Sequence, residues 1–191
     1  KKEKPFHVFC NDFDGTGNLD IVLSKESKGT LLPVRGRECS SQQMPFIAEK
    51  FPTFTEFAEA DLEKIYGEEK LSEALHYVAN NFETVVLIND GKGNFTMKSL
   101  PIQAQYGPTQ ATIVTDINKD GHKDIIGAGS IYNAEVETIR YDGSKGYVLL
   151  GDGTGAFKGM SNPDFLTKGN VKDMALYNYG GKQRILVAKN N

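Results

Sequence analysis

The fold is decided by the stretch NDFDGTGNLDIVL at residues 11–23, which returns as TDINKDGHKDIIG at residues 115–127. Each copy spaces acidic and polar side chains two residues apart, turns at a glycine and ends in an apolar run typical of a β-strand. A second pair, NDGKGNF at 89–95 and GDGTGAF at 151–157, lies 62 residues apart. Repetition with a fixed period indicates a fold assembled from similar small units.

A third copy, MALYNYGGKQRILV at 174–187, keeps the strand, glycine turn and strand but has no carboxylates. The chain therefore contains about three repeats of 62 residues, the first lengthened to 104 by an insertion of about 42. Four short strands per repeat would form one antiparallel sheet of the size of a propeller blade. The clearest β-rich runs are 84–88, 95–100, 111–117, 124–128, 147–150, 175–177 and 185–188. We predict an all-β fold of β-propeller-type blades, in a single partial β-propeller domain over residues 1–191.

The insertion, at about residues 31–82, has the pattern of an α-helical hairpin within the first repeat. Apolar residues recur at helical spacing from Phe54 to Tyr66, and again from Leu71 to Phe82. Thr53 and Glu56 have the spacing of a capping box, and Gly67 stands where a helix C-terminus is expected. We therefore predict two helices lying against the sheet.

Composition excludes several classes of protein. With 22 Lys and Arg against 25 Asp and Glu, the net charge is −3, which is not that of a strongly basic nucleic-acid binder. The apolar run at 85–88 is far shorter than the ~20 residues of a transmembrane helix, so no transmembrane segment is predicted. The first residues show no targeting signal and are typical of the interior of a longer protein. Cys10 and Cys39 are compatible with a disulfide bridge or with two thiols.

The loop that begins at Asp116 has the ligand spacing of a calcium site. Oxygen-bearing side chains occupy positions 1, 3, 5 and 9, a glycine occupies position 6, and the carbonyl group of position 7 is available. The predicted ligand positions of this loop are Asp116, Asn118, Asp120, His122 and Asp124. An EF-hand would have a glutamate at position 12 and flanking helices, whereas Gly127 stands there between β-rich runs. We expect the loop to join two strands.

The first loop repeats this spacing with one weaker ligand. Its predicted ligand positions are Asp12, Asp14, Thr16, Asn18 and Asp20. Because Thr16 provides a hydroxyl group in place of a carboxylate, we expect weaker Ca²⁺ binding here than in the second loop. The third repeat has no such ligand set and is predicted to bind no metal. The alternative is that both loops are simple turns, which are rich in Asp, Asn and Gly in any protein.

No catalytic motif is evident. The glycines at 151–155 match neither phosphate-loop pattern and are better explained by a β-hairpin turn. His7, His76 and His122 have no partner pattern that would indicate a nucleophile or a zinc site. The carboxylates that cluster have a better role as cation ligands, so we predict that the chain is not an enzyme.

The paired motifs at 12–22 and 116–126, together with the turns at 89–95 and 151–157, resemble the FG-GAP/VCBS repeat family of integrin α-like β-propellers. The segment at 35–47 resembles the insertion of large secreted VCBS-repeat proteins of Bacteroidetes. The resemblance implies a seven-bladed parent propeller, Ca²⁺ in the loop between the first two strands of a blade, and an extracellular, periplasmic or cell-surface location. Three repeats are too few to close a ring. We therefore expect the remainder of a longer propeller, or self-association, to complete it.

The function expected from these features is that of a calcium-binding adhesion module that binds a protein or glycan without catalysis. The identity of that ligand is open. One alternative is a subunit or fragment of a propeller enzyme, a hydrolase or lyase acting on a polysaccharide, because propellers also carry active sites. Another is a purely structural scaffold.

Overall fold

The computed structural model describes residues 4–135 and 138–190. The chain forms two compact units, residues 1–82 and 83–191. Strands account for 38% of the chain and helices for 17%, so the fold is mostly β. The sheets are small and antiparallel, and within the described residues none of them closes on itself. A β-rich fold with a helical insertion is thereby confirmed, while the single partial propeller domain over 1–191 stays a prediction.

The first unit combines one sheet with five short helices. Its elements are β1 (Phe6–Asn11), β2 (Asp20–Ser27), β3 (Thr30–Pro33), α1 (Arg37–Gln43), α2 (Phe46–Lys50), α3 (Phe54–Ala58), α4 (Leu62–Tyr66), α5 (Glu68–Ser72) and β4 (Leu75–Ala79). The four strands are ordered β3-β2-β1-β4, all antiparallel. The helices all lie within the predicted insertion.

The second helix predicted in the insertion, from Leu71 to Phe82, is wrong. Helix α5 ends at Ser72, and β4 instead forms a backbone ladder with β1, in which His76 lies opposite Phe9. The apolar spacing fits either structure. The strand forms instead of the helix because its pairing with β1 gives hydrogen-bond partners to backbone groups that an unpaired edge of β1 would leave exposed.

The first predicted helix is also divided. The helix is interrupted after α3. Asp61 is the N-cap of α4, and its side chain accepts a hydrogen bond from the Lys64 N–H. The capping box of Thr53 and Glu56 is confirmed, with both reciprocal hydrogen bonds present. Gly67, with φ 87°, follows α4 as expected. The termini were thus correctly placed, but a single long helix was not.

The insertion supplies most of the core of the first unit. Three buried side chains come from the sheet side, namely Phe9, Phe13 and Val22. The helical segment contributes Met44, Ile47, Phe51, Phe57, Ala60, Leu62, Ile65 and Tyr66. A strand face this small cannot form a core alone, and burial of apolar area against the helices stabilises it.

The second unit contains only strands and one short 3-10 helix, Ile102–Gln105, within its described residues. The strands are β5 (Val85–Asn89), β6 (Phe95–Ser99), β7 (Ala111–Thr115), β8 (Asp124–Ala128), β9 (Tyr147–Gly151), β10 (Phe157–Gly159), β11 (Val171–Tyr179) and β12 (Lys182–Lys189). Strands β7 to β10 form a four-stranded meander, while β5–β6 and β11–β12 form two-stranded sheets. Every strand predicted here is present, and the last two are longer than predicted.

Strand β8 lies at the centre of this unit and is buried along its whole length. One core cluster joins β7 and β8 to β11, with Ile113, Ile126 and Val171 among its members. A second cluster includes Tyr147 and Leu149 of β9. The apolar run of β8 is thus explained by burial on both faces.

The helices of the described residues are all short. No helix there is both long enough and apolar enough to cross a bilayer.

Candidate metal centre

The two predicted loops occupy equivalent places, one between β1 and β2 and the other between β7 and β8. In the first loop, backbone N–H groups point at the side-chain carboxylate of Asp12. Its Oδ1 accepts hydrogen bonds from the N–H groups of Gly15 at 2.7 Å and Thr16 at 3.0 Å, and its Oδ2 accepts one from Gly17 at 2.9 Å. The prediction that these loops join strands is confirmed.

The second loop is built in the same manner. Asp116 accepts hydrogen bonds from the N–H groups of Asp120 at 3.1 Å and Gly121 at 2.9 Å. Gly17 and Gly121 occupy the same loop position and have φ values of 85° and 90°. This left-handed conformation is readily adopted only by glycine, which explains why both loops have it at position 6.

The last aspartate of each loop is buried and ties the loop to the sheet. Asp20 accepts a hydrogen bond from the Phe13 N–H at 3.1 Å, and Asp124 accepts the equivalent bond from the Ile117 N–H at 2.8 Å. The second oxygen of Asp124 accepts a hydrogen bond from the Gly151 N–H at 2.9 Å. These aspartates therefore have a structural role that does not require a metal.

The first loop brings three carboxylates together. Asp12, Asp14 and Asp20 each place an oxygen within 4.8 Å of the others. Thr16 and Asn18 lie in the same loop and are exposed. The described residues of the chain contain no other such group of His, Cys, Asp and Glu side chains. This cluster can hold a metal ion.

The second loop, predicted to be the stronger site, is arranged differently. The Asn118 side-chain amide donates a hydrogen bond to Asp120 Oδ2 at 2.8 Å, and the His122 N–H donates to Asp120 Oδ1 at 2.8 Å. These bonds engage both oxygens of Asp120 within the loop. The carboxylates of Asp116, Asp120 and Asp124 do not form a three-acid cluster. The number of ligands predicts a stronger site in this loop, but it does not take into account that these hydrogen bonds compete with a metal ion for the oxygens of Asp120.

Backbone hydrogen bonds favour the ionised form of the exposed carboxylates. The pKa of Asp12 is lowered, chiefly by the hydrogen bond from the Gly17 N–H. The pKa of Asp120 is lowered first by the His122 N–H and then by the Asn118 amide. Ionised carboxylates are the form that binds a hard cation, so the lowered pKa values of Asp12 and Asp120 favour cation binding.

The helical insertion holds the first loop in place through residues that the sequence analysis did not identify. Lys70 Nζ of α5 donates hydrogen bonds to the carbonyl groups of Asp12 at 2.9 Å and Phe13 at 3.0 Å. Asn11 Nδ2 donates in turn to the Lys70 carbonyl at 2.8 Å. Gln43 Nε2 donates to Asp20 Oδ1 at 3.2 Å. No local spacing signals these contacts, because they join residues 23 to 59 positions apart.

The remaining motifs are turns. The side chains of Asp90 and Asp152 each accept hydrogen bonds from backbone N–H groups of their own hairpin, as is typical of the predicted β-hairpin turns. The third repeat forms the β11–β12 hairpin, in which Tyr179 lies opposite Lys182. Cys10 and Cys39, for which a bridge was left open, are free thiols.

Comparison with models of protein families, with curated proteins and with solved structures finds no match to this chain. The relation to FG-GAP/VCBS repeats therefore stays a prediction from the quoted motifs.

Proposed function

We propose that this chain is a calcium-binding, propeller-repeat module that acts outside the cell or at its surface and binds a protein or glycan without catalysing a reaction. The observation that carries the proposal is the cluster of Asp12, Asp14 and Asp20 in a loop whose architecture recurs in the second unit. A turn needs one capping aspartate, whereas a cation site needs several converging oxygens.

The donor set favours Ca²⁺ over other metals. The cluster consists of oxygen ligands, to which the Thr16 hydroxyl and the Asn18 carbonyl group would add. Zn²⁺ prefers nitrogen and sulfur ligands, and Mg²⁺ requires near-octahedral geometry with several retained waters. An irregular, exposed loop with three carboxylates is better suited to the flexible coordination of Ca²⁺. The high Ca²⁺ concentration outside cells would fill a weak site of this type.

Binding would act on the fold through Lys70 and Asp20. Both residues connect the loop to the rest of the first unit, the former to α5 and the latter to Gln43 of α1. An ion that screens the repulsion among the carboxylates would therefore stabilise the packing of the insertion as well as the loop. Ca²⁺ would serve as a structural ion, with ligand binding as the function of the module.

The two-stranded sheets support the proposed completion of the fold by further strands or a second copy. Their exposed faces contain large apolar side chains, including Leu87, Phe95 and Met97 on β5–β6, and Tyr177 and Leu186 on β11–β12. A two-stranded sheet is marginally stable in water, and exposed apolar patches mark surfaces that another element covers.

Thermal melting in excess EDTA, millimolar Ca²⁺ and millimolar Mg²⁺ tests the proposal. We expect a rise in Tm that is specific for Ca²⁺ and is lost in Asp14→Ala, because Asp14 belongs to the cluster and, unlike Asp20, does not tie the loop to the sheet. The matched control is Asp142→Ala, which removes an exposed aspartate outside both loops. A Tm that does not respond to Ca²⁺ would show that the loops are turns. An equal response in Asp14→Ala would show that the Asp12 cluster is not the site.

A further inference from the structure

The first unit contains a cavity of about 610 Å³ that plays no part in the metal centre. It opens to solvent and is lined by β1, the turn between β2 and β3 with the start of β3, the start of α4, α5 and β4. Its volume is within the range of pockets that bind small ligands or single side chains. The strand β4, which replaces the predicted second helix, forms one wall through His76.

Part of the cavity lining is apolar and well ordered. Leu31, Leu62 and Leu71 contribute aliphatic surface. Phe9 lies beneath His76, with their rings stacked at a centroid separation of 4.1 Å and an angle of 11°. Such a surface can receive a chain of methylene groups, which gains free energy on leaving water.

The polar part of the lining is strongly acidic. Asp61, Glu63 and Glu68 all line the cavity, and no Lys or Arg appears among the described residues around it. These acids are not arranged as a metal site, since the three-ligand group found in the described part of the chain is in the Asp12 loop. Carboxylates beside an apolar wall create a negative potential that a neutral sugar would not relieve.

We infer that this cavity binds an aliphatic cation, namely the side chain of a lysine or arginine presented by a protein partner. The methylene stem would pack on Leu31, Leu71 and the ring of His76, while the ammonium or guanidinium group would bind Glu63 and Glu68. This inference goes beyond the proposed function, because none of these residues belongs to either calcium loop.

The test is an NMR titration of the full chain, uniformly labelled with ¹⁵N, with two acetylated and amidated tripeptides, Ala-Lys-Ala and Ala-norleucine-Ala. Norleucine has an aliphatic chain of similar length without the charge. We expect the lysine peptide to shift the amide signals of Leu31, Leu71 and Ser72 in a saturable manner. Binding of the norleucine peptide should be at least about threefold weaker, as expected for loss of a partly exposed ion pair.

The variant Glu63→Gln/Glu68→Gln removes the charge but keeps the shape, and should weaken lysine-peptide binding by about threefold or more. Glu69→Gln is the matched control, because it makes the same change on α5 at a residue that does not line the cavity. Equal binding of both peptides, or unchanged binding by the double variant, would overturn the inference. Tighter binding of free 1,5-diaminopentane than of the lysine peptide would overturn the assignment to a protein partner.

The titration is repeated in EDTA and in millimolar Ca²⁺, which separates it from the proposed function. Lysine-peptide binding that persists in EDTA while Tm fails to respond to Ca²⁺ would support the cavity and contradict the calcium module. A rise in Tm with Ca²⁺ but no binding of the lysine peptide would support the calcium module and contradict the inference about the cavity.

Discussion

Replacement of Asp124 by alanine should destabilise the second unit even when no metal is present. Asp124 is fully buried and accepts hydrogen bonds from the N–H groups of Ile117 and Gly151, at 2.8 and 2.9 Å. The substitution leaves both N–H groups without their acceptor at the edge of the central strand β8. A carboxylate that serves only as a metal ligand would be dispensable in EDTA, so the measurement separates the structural role from metal binding.

The magnitude follows from these contacts. Each buried N–H left without an acceptor costs about 1–3 kcal/mol, and removing a buried carboxylate returns part of that cost, because burying the charge was itself unfavourable. We therefore expect the free energy of unfolding to fall by about 2–4 kcal/mol for Asp124→Ala. Asp124→Asn should show an intermediate loss, since one oxygen can still accept while the amide group faces the second donor.

The assay is urea unfolding in EDTA, followed by far-UV circular dichroism and tyrosine fluorescence, since the chain has no tryptophan. Native-state amide exchange adds a local readout, because the Ile117 and Gly151 amides should lose protection specifically. Asp120→Ala is the control at an exposed position of the same loop, and should cost less than about 1 kcal/mol. A loss below about 1 kcal/mol for Asp124→Ala, with protection of both amides unchanged, would refute the reasoning.

Three further changes are predicted. Gly127→Ala should lower the free energy of unfolding in urea by about 1–3 kcal/mol, because the added Cβ would overlap the buried ring of Tyr147. Thr53→Ala removes the helix cap of α3 and should cost about 1 kcal/mol in the same assay. The pKa of His76 is lowered from its ordinary value of 6.5 by desolvation and then by His7, so the folded state binds fewer protons below that pH than the unfolded chain. The free energy of unfolding should therefore decrease as the pH falls below 6.5. In His76→Gln, urea unfolding should show a smaller decrease over the same pH range.

Matched controls accompany these three. Gly36→Ala, at the N-cap of α1, has open space around the added Cβ and an ordinary φ of −71°, so it should cost less than Gly127→Ala. Thr55→Ala changes the same residue type inside α3 rather than at its cap. His122→Gln makes the same change of residue type at an exposed histidine of the second unit. Equal effects of control and test variants would contradict the corresponding explanation.

The turns and loops could be predicted because their determinants are local. The hydrogen bonds that the Asp12 side chain accepts come from residues no more than five positions ahead, and the capping box of Thr53 spans three residues. The strands of the second unit were predicted for the same reason, since each is an apolar run bounded by residues that favour turns.

The interactions around the first loop could not be predicted in this way. Lys70 reaches Asp12 across 58 positions, and Gln43 reaches Asp20 across 23. The hydrogen bonds inside the second loop were also beyond ligand counting, because the Asn118 side-chain amide donates to Asp120. Such choices depend on which side chains become neighbours after folding.

The sequence by itself determined the repeated strand–loop–strand units, their aspartate-rich loops and the helix ends at Thr53 and Gly67. Those features rest on backbone preferences and hydrogen bonds within a few residues. Only the tertiary structure decided that residues 75–79 form a strand instead of a helix, because their apolar spacing fits both. His7 of β1 and His76 of β4 lie 69 positions apart in the sequence. Pairing of the two strands gives the backbone groups at the edge of β1 their hydrogen-bond partners, and this outweighs the local helix propensity of residues 75–79.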